Sequence, residues 1–319
     1  MTRPTVALQH LAYLSDRSSL ECICGVPGGL TIGRSERNGL KFRYKVCFRC
    51  GHVRTSNPLS PSAAERFYST SDYRSMYFPN DSVEELIVRQ TPKSNSRSRL
   101  LEYAEQAGVS RGSVLEWGCG GGWNLVPFRD AGWRTIGFDH DKPFVRMGRE
   151  LLNLDLNVID SAAPTHVKNF SADLIILYHV LEHVRDPVGL LSMLRASCRA
   201  DTLLVVGIPL IEKIPSWKWN RFFHVAHIHY FSTSSFLRVA AMSGWVLEKY
   251  SPNASVFALR PSDAVTHPKY RRLDVIKSQY FLLRGFLNPR YRLRVLIRQV
   301  LSTLGLLNAA RTVKRRIKQ

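Results

Sequence analysis

Ser113-Val114-Leu115-Glu116-Trp117-Gly118-Cys119-Gly120-Gly121-Gly122-Trp123 is the stretch that decides the fold of this chain. Val114 and Leu115 make a short apolar strand, which runs into a glycine-rich turn, and a helix is expected from about Asn124. Glycines in such a turn let the backbone approach a ligand closely. A dinucleotide-binding fingerprint needs G-x-G-x-x-G. Begun at Gly118, its last position falls on Trp123; begun at Gly120, it falls on Leu125. A Walker-type phosphate loop also fails, because no Gly-Lys-Ser/Thr follows. The pattern that fits is E-x-G-x-G-x-G, on Glu116, Gly118, Gly120 and Gly122.

Outward from this turn, strands alternate with helical segments. A second strand over 133–138 ends in Asp139, whose carboxylate is placed to accept hydrogen bonds from both ribose hydroxyls of a nucleoside. A third over 156–159 ends in Asp160. A fourth over 172–178 runs into His179-Val180-Leu181-Glu182-His183-Val184-Arg185-Asp186-Pro187, and a fifth over 203–208 stops at Pro209. Helical segments over 143–153 and 187–198 separate them. This alternation predicts an α/β fold with a doubly wound, Rossmann-like parallel sheet.

The run from about 96 to 260 resembles the class I S-adenosylmethionine-dependent methyltransferases. It is most similar to the bacterial branch with an N-terminal cysteine-rich ribbon, which includes sugar methyltransferases. Three stretches carry the resemblance: 114–122, 178–187 and His227-Ile228-His229-Tyr230-Phe231-Ser232. It implies a seven-stranded sheet whose last strands include 245–250 and 255–259. It implies S-adenosyl-L-methionine as cofactor, with Glu116, Gly118, Gly120 and Gly122 lining the methionine end. Asp139 would hold the ribose and Asp160 the adenine edge, and Tyr178 joins this cofactor set.

In a parallel sheet of this type ligands sit at the C-terminal strand ends, so the loop after the fourth strand faces the reacting methyl group. It carries His179, Glu182 and His183 at spacings that one helical turn brings together. An alcohol or carbon-acid acceptor must lose a proton, work suited to histidine near neutral pH. His224, His227 and His229 lie past the fifth strand beside Trp217, Trp219 and Tyr230, a segment able to wall an acceptor pocket. His179, Glu182, His183 and His229 are the candidate catalytic set. Bracing of the loop is the alternative role for these side chains, and a His/Glu divalent-metal site is a third.

Upstream, Cys22, Cys24, Cys47 and Cys50 form C-x-C and C-x-x-C pairs. Two tight turns presenting four thiolates suit a structural Zn2+, with no open position for catalysis. Segments 30–32 and 41–46 read as short strands between the pairs, a zinc-ribbon-like hairpin over 1–60. The other reading is four reduced cysteines in a small core. An aromatic linker over 61–98 holds Phe67, Tyr68, Tyr73 and Tyr77, either a lid over the pocket or packing for the domain. Helical spacing is expected over 82–107. The methyltransferase domain then spans 99–262.

The chain has 319 residues, 45 Lys+Arg and 25 Asp+Glu, a net charge of +20. Its 45% hydrophobic content excludes disorder throughout. The charge is uneven: 1–100 carries +7, 101–268 zero, and 269–319 +13 with Asp274 its one acid. In the tail (263–319), Leu293, Leu296, Ile297, Val300, Leu301 and Leu304 recur at helical spacing with Arg290, Arg294 and Arg298 on another face. A basic amphipathic helix suits an anionic membrane surface, packing on the enzyme or on a second subunit, or nucleic acid. No apolar run nears the roughly eighteen residues a spanning helix needs, and no secretory pattern opens the chain. A cytoplasmic protein is expected, with peripheral contact at the inner membrane face if the tail binds lipid. The expected reaction is methylation of a sugar-containing acceptor: a nucleotide-sugar, glycolipid or surface polysaccharide. The alternative is an RNA methyltransferase whose ribbon and tail grip phosphates. The neutral middle of the chain and the missing Asn/Asp-Pro-Pro-Tyr-type motif weigh against it, and the intact glycine loop weighs against a non-catalytic adaptor.

Overall fold

A computed structural model describes residues 12–33, 42–78, 81–91, 98–215, 222–264 and 270–286, with single positions 289, 293 and 297. The N-terminal part forms β1 (Leu30–Gly33), β2 (Tyr44–Val46) and β3 (Val53–Thr55), then α1 (Pro61–Ser69), α2 (Asp72–Tyr77) and α3 (Val83–Gln90). The capping box of Ser82 and Glu85 starts α3. The helix expected over 82–107 is two helices: α3 stops at Gln90, and α4 (Ser98–Gln106) starts beyond residues outside the described set.

The large sheet is assembled from β4 (Ser113–Trp117), β5 (Arg134–Asp139), β6 (Leu156–Val158), β7 (Leu174–Tyr178) and β8 (Leu203–Gly207). Between them run α5 (Val126–Asp130), α6 (Lys142–Leu152), α7 (Ala163–Phe170) and α8 (Pro187–Ala196). Then come β9 (His229–Tyr230), α9 (Thr233–Met242), β10 (Trp245–Ser251), β11 (Val256–Pro261) and α10 (Arg272–Phe286).

Seven strands lie in the order β10-β11-β8-β7-β4-β5-β6. β4 to β8 are mutually parallel, whereas β11 pairs antiparallel with both β8 and β10. Alternate residues of the central strands feed opposite cores. Leu115, Ile175, Leu177 and Leu204 pack with Leu191, Phe236 and Trp245; Val114, Leu174, Ile176 and Leu203 pack with Ala104, Phe128 and Val145. Burial on both faces explains why β7 and β8 read as unbroken apolar runs.

A second sheet has the order β1-β2-β3-β9. Its first strands form the expected hairpin, but its edge strand comes from beyond β8: Val53 pairs with Tyr230 and Arg54 with His229. The cysteine module is therefore built onto the methyltransferase body. A third core of Phe42, Tyr44, Phe67, Phe222, Tyr230 and Leu282 seals the junction. The strongly amphipathic part of the tail falls almost wholly outside the described residues, as do Trp217 and Trp219. No described helix is long and apolar enough to cross a membrane.

Candidate active site

A cavity of about 500 Å3 opens at the C-terminal ends of the parallel strands, within the size range of small-molecule sites. Its floor is the glycine loop. Gly118 and Gly120 adopt φ of +79° and +58°, a left-handed backbone that glycine tolerates best. A Cβ on Gly118 would sit 2.4 Å from Val180, and one on Gly120 2.7 Å from the Arg74 guanidinium. Gly122 serves packing instead, since a Cβ there would sit 2.8 Å from Leu154.

Asp139 stands at the end of β5 beside that loop. Its Oδ2 accepts from the Gly120 N–H at 2.6 Å and its Oδ1 from the Asp141 N–H at 2.8 Å. One carboxylate thus braces two loops and lines the cavity. Glu116 is fully buried and accepts from the Asn124 amide at 2.5 Å; it is Asn124 that reaches the cavity wall. Asp160 is exposed and accepts from the Ala162 and Ala163 N–H groups at the start of α7, while neighbouring Ile159 forms the wall. Tyr178 lines the cavity and packs edge-on to His179 at 4.7 Å between centroids. A bare-backbone cradle, a carboxylate at the next strand end and this volume fit a nucleoside-bearing cofactor such as S-adenosylmethionine.

The far wall is made by the loop after β7. His179 has φ +57°, a strained value for a side chain with a Cβ. Its N–H donates to the Gly207 carbonyl at 2.8 Å. This turn brings His179 Nδ1 to 3.1 Å from Glu182 Oε1. The His179 ring is half exposed, while the Glu182 side chain is 1% exposed. Burial alone would raise the Glu182 pKa, but the hydrogen bond from His179 and the charge of His183 outweigh it, so the carboxyl is held below its ordinary value. His183 Nδ1 lies 3.0 Å from the Ala226 carbonyl, which assigns a proton to Nδ1 and turns Nε2 toward Glu182, 3.9 Å from its Oε1. Burial lowers the His183 pKa, against the pull of Glu182.

His227 is the second imidazole at this carboxylate, with Nε2 3.9 Å from Glu182 Oε1. The donor atoms of Glu182, His183 and His227 lie within 4.8 Å of one another, a spacing that ligands of one cation can have. His229, the other candidate of that segment, points elsewhere. It is buried, its Nδ1 lies 2.9 Å from His52 Nε2 under the cysteine module, and burial lowers its pKa to about 4. His227 lies in the turn before β9, where its N–H donates to the His224 carbonyl at 3.1 Å, whereas His229 is inside the strand and paired with Arg54 of β3. The N–H groups of Ile228 and His229 both donate to the Glu182 carbonyl, at 2.9 and 3.1 Å. The Glu182 loop, β9 and β3 thereby form one connected frame.

The aromatic stretch before the domain lines one side of the cavity. Phe67 is buried in the junction core, whereas Tyr68 and Tyr73 line the cavity, with ring centroids 6.1 and 5.7 Å from that of His183. Packing falls to Phe67 and lining of the cavity to its neighbour Tyr68. Arg74 reaches over the glycine loop, anchored to Asp141 at 3.1 Å and stacked on Phe144. Neither it nor Asn124 stands in a local motif; the only signal is the apolar and aromatic spacing around them.

At the other end of the frame, the Sγ atoms of Cys22 and Cys50 are 3.4 Å apart and those of Cys24 and Cys47 3.6 Å. All four lie within 4.8 Å of one another. Tetrahedral coordination at about 2.3 Å sets sulfurs about 3.8 Å apart, so the set fits a metal ion. Hydrogen bonds from the Cys22 and Cys50 thiols hold Cys47 well below the ordinary thiol value, toward the thiolate that a metal binds.

The sequence finds no match among curated proteins. Similar solved structures include DesVI of Streptomyces venezuelae, at 12% identity and TM-score 0.44, covering 60% of this chain and 98% of that one. They also include CalS10 of Micromonospora echinaspora, an amino pentose methyltransferase with bound S-adenosylmethionine (11%, TM-score 0.43, 60% and 96%). A third is the magnesium protoporphyrin IX methyltransferase of Synechocystis PCC 6803 (15%, TM-score 0.44, 63% and 99%). The methyltransferase domain family matches residues 87–250, from within α3 into β10. That match spans the glycine loop, Asp139 and the Glu182 loop, and by it the chain belongs to the methyltransferase domain family, as an S-adenosylmethionine-dependent enzyme.

Proposed function

We propose that this enzyme methylates a hydroxyl group of a sugar-containing acceptor, with His179 as general base. The observation that carries the reading is the His179–Glu182 pair, set in the cavity wall with the imidazole on the open side and the carboxylate buried behind it. When bound, S-adenosylmethionine supplies an activated methyl group. The protein's remaining task is to align the acceptor oxygen and take its proton. With Nδ1–H donated to Glu182, His179 offers its Nε2 lone pair to the acceptor hydroxyl. The imidazolium that forms is neutralised by the carboxylate at its back. Tyr68 and Tyr73 supply flat apolar faces for the C–H side of a sugar ring, and the sequence resemblance to ribbon-bearing sugar methyltransferases supports the same class. Incubating the enzyme with methyl-labelled cofactor and a panel of nucleotide-sugars, lipid-linked glycans and RNA oligomers tests this. Label in a sugar hydroxyl is expected; label in RNA alone would transfer the assignment to the RNA reading.

We also infer that Cys22, Cys24, Cys47 and Cys50 hold one structural zinc ion. The cysteine module shares its sheet with β9, and β9 is tied to the Glu182 carbonyl. Elemental analysis of the purified protein is expected to find about one zinc per chain. Cys47→Ser is expected to lose the metal and to lower kcat by roughly tenfold or more, because the wall carrying Glu182 loses its support. Affinity for S-adenosylmethionine should fall far less, since the glycine loop and Asp139 lie on the other wall. A zinc-free wild type of full activity would contradict both statements.

A further inference from the structure

We propose that α10 is an interfacial helix that seats the enzyme on an anionic lipid bilayer. This goes beyond the reaction assigned above and does not depend on the acceptor.

One side of α10 is committed to the protein. Ser278 and Leu282 are buried, and Leu282 belongs to the junction core. Asp274 is ion-paired with Arg238, which also donates to the Cys50 carbonyl at 2.9 Å. Gly51 passes so close that a Cβ there would lie 2.6 Å from the Asp274 carbonyl oxygen. The helix is thus clamped against the cysteine module in one rotational setting.

That setting turns a second apolar face outward. Leu273, Ile276, Tyr280 and Leu283 are each more than half exposed. Their spacing of three, four and three residues places them on one stripe, spanning about 80° at 3.6 residues per turn. Exposed Lys277 lies just beyond one border of the stripe and exposed Arg272 just beyond the other. The only acidic residue after position 263, Asp274, is on a different face and neutralised by Arg238. The outward side is therefore apolar in the middle, cationic on both flanks and free of carboxylates among the described residues. An amphipathic helix enters an anionic headgroup region in this way, with apolar groups in the acyl boundary and Lys/Arg among the phosphates. The charge of the chain from 269 onward, 14 basic against 1 acidic, adds attraction of the same sign. A second copy of the helix is a poorer occupant, because a symmetric pairing would set cationic flanks against each other. A nucleic acid would leave the four apolar side chains facing phosphates and sugars.

The test is co-sedimentation of the full-length protein with vesicles of phosphatidylcholine alone and of phosphatidylcholine mixed with phosphatidylglycerol. Binding is expected to the mixed vesicles only, and to weaken with salt. The double variant Ile276→Glu, Tyr280→Glu should bind the mixed vesicles at least tenfold less. Its affinity for S-adenosylmethionine should be unchanged, which shows that it folds. Equal vesicle binding by variant and wild type would overturn the proposal, as would no binding by either. If the same variant instead splits a wild-type dimer, or releases co-purifying RNA, with no lipid binding, the stripe belongs to that partner and the proposal is wrong.

Discussion

Asp139→Ala is expected to weaken S-adenosylmethionine binding by roughly 100-fold, about 3 kcal/mol. The carboxylate has two tasks. It accepts the N–H groups of Gly120 and Asp141, so it holds the glycine loop and the start of α6 in register. It also faces the cavity at the strand end where a ribose would present two hydroxyls. Charge-assisted hydrogen bonds contribute about 1.5–3 kcal/mol each, and alanine removes the acceptor for both loops and ligand together. Asp139→Asn retains one acceptor oxygen and should give an intermediate loss. Titration calorimetry with the cofactor checks the series. An Asp139→Ala protein that binds within about threefold of wild type would remove this residue from the site, since even one lost hydrogen bond exceeds that margin.

Glu182→Gln is expected to lower kcat by roughly 100- to 1,000-fold with cofactor affinity nearly unchanged. Glutamine matches the shape of the side chain and can still accept from His179 Nδ1–H. What it lacks is the charge that neutralises the imidazolium as the acceptor proton arrives. Single-turnover measurement separates this from a binding effect. The substitution also changes stability in a pH-dependent way. In the folded protein the Glu182 carboxyl lies below its ordinary value of 4.5, with His179, His183 and His227 around it. A lowered folded-state pKa adds stability above the unfolded value and loses it as the pH falls through the folded one. Wild type should therefore lead the variant in melting temperature at pH 7, and the lead should shrink as the pH drops below about 4.5. A variant with wild-type kcat would reduce the pair to a brace for the loop, the other role that the sequence allows it.

Part of the candidate site is legible in the sequence alone. Spacing and resemblance point to Gly118, Gly120, Asp139, Tyr178, His179 and His183, and all six line one cavity. Each sits at or just after the end of an apolar strand, and strand-then-turn is a local pattern. The sequence misleads where side-chain direction depends on partners distant in the chain. His227 and His229 are alike in sequence, but pairing with β3 sends His229 to His52, 177 residues earlier, and leaves His227 at Glu182.

Local sequence is enough for the parallel α/β sheet, for the glycine loop with its neighbouring acid, and for the grouping of four cysteines. Periods of 2 and 3.6 residues, glycine at turns and short cysteine spacings are all written within a few residues of each other. Long-range packing settles the rest: that the cysteine module takes its edge strand from the enzyme, which histidine meets Glu182, and which side of α10 is left bare. These depend on how segments far apart in the chain pair and pack, and in a strand a one-residue shift of that pairing would turn every side chain to the other face.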